Sequence, residues 1–158
     1  AYGTQAFTPF MLEQGEGHII NTASQAGLMT TPILGLYCAT KHAVVGFTES
    51  LYRELEDTPI GVSCLCPEFI KTAIADPARL RPDWVKVDET HDTFQPLLAE
   101  AIQATGLDPS LVSAAVVDAI KKNEFWVFTH DITLVQANRR FEDINTGKNP
   151  SAMPLSGE

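Results

Sequence analysis

Three side chains in the stretch 24–41, SQAGLMTTPILGLYCATK, are of types that move protons: Ser24, Tyr37 and Lys41. Tyr37 and Lys41 stand four apart inside a long helical pattern, and residues at that spacing lie one turn above the other on the same helix face. An ammonium beside a phenol favours the phenolate, so Lys41 is expected to lower the pKa of Tyr37 towards the working pH. A phenol tuned in this way gives a proton to a forming alkoxide or takes one from an alcohol. Ser24, if the fold brings it to the same spot, supplies a hydroxyl that positions the reacting oxygen. The bare Tyr-x-x-x-Lys pair is weak evidence. With three Tyr and six Lys in 158 residues, chance produces one in about nine such chains, each a helix-face phenol beside a solvated lysine.

The elements that must hold these groups can be read in order. Residues 1–14 have the pattern of an amphipathic helix, with Phe7, Phe10 and Met11 on or near one face and Pro9 as a kink. Gly15 and Gly17 stop it. An apolar-rich strand over 18–23 ends at Ser24, and such continuous apolar runs suit a parallel sheet covered on both faces. A Gly/Pro-punctuated loop leads to a helix over 36–56, with Leu36, Ala39, Ala43, Val44, Phe47, Leu51 and Leu55 as its apolar stripe. Gly46 is expected to admit another backbone, and Val45, Thr48 and Tyr52 widen the apolar face enough to suggest a second partner surface.

A second strand over 61–66 is closed by Pro67. Ligands of open parallel sheets sit outside the carboxyl ends of the strands, so Ser24 and the segment after Pro67 belong to one rim. A long connection over 73–95 follows; Trp84 and Phe94 either line a pocket or anchor it to the core, and His91 has no partner at ligand spacing. A short helix is expected over 96–105. Another follows Asp108-Pro109, an N-cap and a first helical position, and runs to about Lys122 with Leu111, Ala115, Val116, Ala119 and Ile120 inward. Residues 124–129 form the last strand, with His130 and Asp131 at its end in structural roles. One or two helical turns over 135–141 and a loose tail over 145–158 complete the chain, which holds no internal repeat and no second domain.

Composition bounds the function classes. With 158 residues and 44% hydrophobic content the chain can bury a core. A net charge of −9 argues against sequence-independent nucleic-acid binding, and no apolar run is long enough to span a bilayer. Three cysteines (Cys38, Cys64, Cys66) lack metal-ligand spacing and read as buried thiols of a cytoplasmic protein. A Ser/Lys hydrolase fits poorly, because Ser24 stands neither at a sharp strand-to-helix turn nor one helical turn from a lysine.

Strand, Ser, Gly/Pro loop, Tyr-x-x-x-Lys on a helix, second strand and Pro, in that order, resemble the short-chain dehydrogenase/reductase family. The resemblance runs from Ala1 to about Asp131 and matches that family's C-terminal half. It implies an α/β fold, the C-terminal portion of a Rossmann-like doubly wound parallel sheet, with the N-terminal strands and Gly-rich phosphate turn belonging upstream of Ala1. Residues 1–144 would be a partial catalytic domain, with 73–95 covering the substrate. The implied activity is an NAD(P)-dependent oxidoreductase that interconverts a carbonyl and an alcohol, with NAD or NADP as cofactor. Tyr37 is the acid/base, Lys41 also holds the nicotinamide ribose, and Ser24 orients the carbonyl oxygen. The run Pro67-Glu68-Phe69-Ile70-Lys71-Thr72 resembles the family's segment beside the nicotinamide: Pro67, Ile70 and Thr72 match, and Glu68 stands where Gly is usual. A carboxylate there bears on cofactor affinity. The family also implies a homo-oligomer through helices 1–14 and 36–56. The alternative is a truncated, non-catalytic fragment that acts as an oligomerisation module.

Overall fold

The structure, a computed structural model, describes residues 1–76, 82, 84 and 89–152, with the backbone alone at 89–93. Its sheet has three parallel strands, β1 (Gly17–Thr22), β2 (Ile60–Cys66) and β3 (Trp126–Phe128), with β2 in the centre. Thr22 stands opposite Leu65, and Cys66 opposite Phe128. β2 is buried from Val62 to Cys66, on both faces, as a central parallel strand requires. The helices are α1 (Tyr2–Gln14), α2 (Gly35–Leu55), α3 (Glu89–Thr105), α4 (Pro109–Lys122) and α5 (Ile132–Thr146). This is the α/β class with a Rossmann-like parallel sheet.

The chain divides into two compact units, residues 1–68 with 114–158, and residues 69–113. In the first, two apolar clusters hold the helices to the sheet. Ala23, Leu28, Val45, Cys64, Cys66 and Ala137 form one cluster towards the carboxyl ends of the strands. Ile19, Leu51, Leu55, Ile60 and Val62 form the other, joined by Met11. Gly15 (φ 81°) ends α1 in the left-handed region, its N–H donating to the Met11 carbonyl. Gly17 then lets Met11 lie against the backbone, where a Cβ would come within 2.7 Å of the Met11 side chain. In the second unit, a parallel bridge joins Ile70 to Leu107, a 3-10 turn spans Ala73–Ala75, and α3 follows.

Several expectations are corrected. Phe7 and Phe10 are exposed and Pro9 lies within an unbroken helix; only Met11 of the expected α1 face packs inward. The buried side of α2 runs through Cys38, Val45, Thr48, Leu51 and Leu55, whereas Leu36 is 88% exposed and Ala39, Ala43 and Phe47 face outward. Thr48 can be buried because it donates to the Val44 carbonyl (2.7 Å) and accepts from Asn21 Nδ2 (3.1 Å). Gly46 faces open space. α3 begins at Glu89 rather than at Pro96, which the helix accommodates internally. Residues 77–81, 83 and 85–88 of the expected substrate-covering segment lie outside the described residues, as does the His91 side chain. Trp84 is 82% exposed and Phe94 is half-buried.

α4 begins as read, with Asp108 Oδ1 accepting from the Ser110 N–H at 2.8 Å, but Leu111 and Ile120 are exposed and Ala119 alone is buried. α5 extends over 15 residues, well beyond the expected 135–141, and closes at Gly147 (φ 64°). Its buried Asp143 then accepts from the backbone N–H (2.8 Å) and the hydroxyl (3.1 Å) of Ser151, so the chain remains pinned past residue 145.

Candidate active site

Ser24 stands two residues past the end of β1. Its backbone is extended (φ −175°), and its hydroxyl caps the 3-10 turn Gln25–Gly27 by accepting from the Ala26 N–H at 3.2 Å. The same hydroxyl points its proton at the Pro67 carbonyl, 3.4 Å away, and the Gln25 N–H donates to that carbonyl at 2.9 Å. Ser24 and Pro67 therefore share the carboxyl rim of the sheet, as the topology required.

Lys41 projects from α2 to this rim. Its ammonium donates to the Thr22 carbonyl at the end of β1 (3.2 Å) and lies 5.7 Å from the centre of the Tyr37 ring. That is a cation over an aromatic face. Burial lowers the Lys41 pKa from its ordinary value. Cys66 itself keeps its proton, its pKa raised by the adjoining Cys64 (Sγ–Sγ 3.8 Å) and by burial. Tyr37 is half-buried, and among the described residues its hydroxyl has no hydrogen-bond partner and no bond to Ser24. Tyr37 and Lys41 are thus brought together by the helix, and Lys41 and Ser24 are each tied to the same strand ends.

Two positions that pattern reading missed shape the approach. A Cβ at Gly27 would lie 2.7 Å from the Lys41 carbonyl oxygen and 2.8 Å from Val45 Cγ2, so only glycine lets the Ser24 turn rest on α2 beside Lys41. Ile33, exposed in the loop ahead of Tyr37, has φ 72°, a strained conformation for a β-branched residue. Close packing of a turn on a helix leaves no periodicity, and Ile33 is not a residue type that marks a left-handed bend.

The remaining predicted residues follow β2. Pro67 and Glu68 are half-buried. Burial pushes the Glu68 carboxyl up from its ordinary pKa, opposed by His130 and by Gln25. Ile70, in the second unit, pairs with Leu107 through the Phe69 carbonyl and the Lys71 N–H, so its own N–H takes no part in the bridge. Thr72 is exposed, its hydroxyl accepting from the Ile74 N–H at 3.4 Å. A cavity of about 600 Å³ lies at the opposite, amino ends of the strands, lined by Gly17, His18, Tyr52, Ile60, Gly61 and Asn123 among others. It contains none of the predicted site residues.

Residues 1–83 match the family model described as short chain dehydrogenase. The chain belongs to the short-chain dehydrogenase family. This family member is 36% identical over 119 residues to a diacetyl reductase [(S)-acetoin forming] of Staphylococcus epidermidis, covering 73% of this chain and 46% of the relative. It is 46% identical over 72 residues to estradiol 17-beta-dehydrogenase 11 of Mus musculus, covering 44% and 24%. Among solved structures, a short-chain dehydrogenase/reductase of Burkholderia phymatum in complex with NAD superposes with a TM-score of 0.90 at 38% identity, over 98% of this chain and 57% of that one. An actinorhodin polyketide ketoreductase with NADPH gives 0.59 at 30% identity, over 80% and 51%. The short-chain dehydrogenase chain thus spans less than half the length of these curated relatives.

Proposed function

We propose that this chain carries the acid/base half of an NAD(P)-dependent oxidoreductase that interconverts a carbonyl and an alcohol on a small molecule. The observation that carries the reading is the Lys41 ammonium, pinned to the Thr22 carbonyl and lying over the Tyr37 ring at the rim that also bears Ser24. Tyr37 donates a proton to the carbonyl oxygen during reduction and takes one from the alcohol during oxidation. The Lys41 charge stabilises the phenolate that remains. Ser24 orients the oxygen through its hydroxyl.

The donor chemistry fits a nicotinamide cofactor. Lys41 has three N–H groups and spends one on Thr22, leaving two for ribose hydroxyls. Pro67 and Glu68 follow the rim strand; in the second unit, taken by itself, the Ile70 N–H lies outside its bridge and the Thr72 hydroxyl proton is uncommitted among the described residues. When bound, NAD or NADP supplies or accepts the hydride.

Tyr37→Phe is expected to lower turnover by about 10²–10⁴ while cofactor affinity stays within a few-fold. Diacetyl reduction and estradiol oxidation, the reactions named for its relatives, serve as probes, with NAD(H) or NADP(H) binding measured by titration. A fully active Tyr37→Phe protein would overturn the assignment of the acid/base. A second reading, assembly through α1 and α2, is favoured by the exposed Tyr2, Phe7, Phe10 and Phe47.

A further inference from the structure

The hydrogen-bond ladder between β1 and β2 continues past both strands: the Ala23 N–H donates to the Leu65 carbonyl (2.8 Å) and the Gln25 N–H to the Pro67 carbonyl (2.9 Å). In a parallel ladder this carries the register of Thr22 opposite Leu65 forward to Gln25 opposite Glu68. On the other side, Cys66 stands opposite Phe128, and His130 follows two residues past the end of β3. Gln25 and Glu68 therefore stand side by side past the ends of β1 and β2, within the first compact unit.

Two buried polar atoms near these strand ends lack a hydrogen-bond partner. Gln25 is 8% exposed, and its Nε2 is buried with no hydrogen-bond partner of good geometry; the His130 Nε2 is buried in the same condition. Thr129 Oγ1 holds the other ring nitrogen of His130 at 2.8 Å, which fixes the ring. Buried polar atoms left in this way are costly unless an acceptor adjoins them. The continued ladder sets Glu68 opposite Gln25, so its carboxyl is the acceptor the register offers to the Gln25 amide; the Gln25 side chain and His130 both oppose the rise that burial gives its pKa.

We propose that Glu68 is a positioning residue: its carboxyl, opposite Gln25 in the continued ladder, holds the Gln25 side chain and through it the turn that presents the Ser24 hydroxyl. Gln25 is the first residue of the turn that Ser24 caps, so a shift of its side chain moves the Ser24 backbone directly. The carboxylate that stands where the family has glycine is then engaged along the strand ends instead of repelling a bound phosphate. This inference rests on the role given to Ser24 above.

The test is a double-mutant cycle in the complete gene product, with Glu68→Gly, Gln25→Ala and the pair, plus Glu68→Gln as the conservative variant. With diacetyl and NADH or NADPH, each single substitution is expected to lower kcat by about 10-fold, since small misplacements at a reacting centre cost up to about 10²-fold. NAD(P)H affinity should stay within a few-fold in Gln25→Ala, and kcat of the Glu68 variants is read at saturating NAD(P)H. The pair should fall no further than either single change, and Glu68→Gln should restore most of kcat. Multiplicative losses, or a Glu68→Gly protein with unchanged kcat, would overturn the proposal.

The same cycle read by urea unfolding requires no turnover. Non-additive midpoints establish the bridge, and additive ones remove it whatever the activity. A bridge in a wild-type protein that binds no NAD(P)H and turns over nothing would bring down the oxidoreductase reading, and the positioning role with it.

Discussion

A methyl group at Gly27 would meet the Lys41 carbonyl oxygen and Val45 Cγ2, the first of which is helix backbone and cannot yield. Gly27→Ala is therefore expected to lift the Ser24 turn off α2, costing about 1–3 kcal/mol of stability, as overpacking typically does, together with turnover. Thermal melts and kcat measured together check it, and a stable, fully active variant would show that the contact is slack. His18 acts at the other end of the sheet. Its Nε2 meets Ser63 Oγ at 2.7 Å while that hydroxyl donates to the Glu124 carbonyl at 2.6 Å, so the ring donates to Ser63. Burial lowers the His18 pKa from 6.5, and the unfolded chain therefore takes up the proton first as pH falls. The stability His18 contributes is complete above about pH 6.5 and declines below it. Urea midpoints followed through that range should fall less steeply in His18→Gln, and parallel curves would assign the acid sensitivity elsewhere.

At the scale of elements, what the sequence disclosed depended on what each element touches. β1, β2 and the start of α4 were legible because an apolar run, a closing proline and an Asp-Pro cap act locally. The inward face of α2 was misread because its buried stripe contains Thr48, whose hydroxyl is satisfied by Val44 and Asn21, contacts that no hydrophobic count reveals. α5 was read too short because its anchor is a buried carboxylate, Asp143, paired with a residue beyond the helix. In the site, Tyr37 and Lys41 were legible from their spacing on one helix. The pairing of Gln25 with Glu68 was not, since it exists only once β1 and β2 are in register. α1 has no buried residue and exposes Phe7 (62%) and Phe10 (67%). A helix this apolar on its open side is expected to associate. Phe7→Ser with Phe10→Ser should lower the mass seen by light scattering in solution, and an unchanged mass would place any association elsewhere.

Over the whole molecule, two apolar clusters stack along one sheet in the first unit, and the net charge of −9 is spread over the chain. Among the described residues no helix is long and apolar enough to cross a membrane. All three thiols are free and buried: Cys38 on α2, and Cys64 with Cys66 at the centre of β2. Thiolate is the reactive form, and Cys66 is held protonated where it lies. Burial also closes all three to reagent, so iodoacetamide should modify none of the native protein quickly, and Cys64 and Cys66 should become accessible together once the central strand opens. Their alkylation rate, followed by mass spectrometry, would then serve as an intrinsic clock for global opening; fast labelling under native conditions would mean that the strand breathes. The molecule carries its own reporter of integrity, readable in crude extracts without a dye, an assay or knowledge of the substrate.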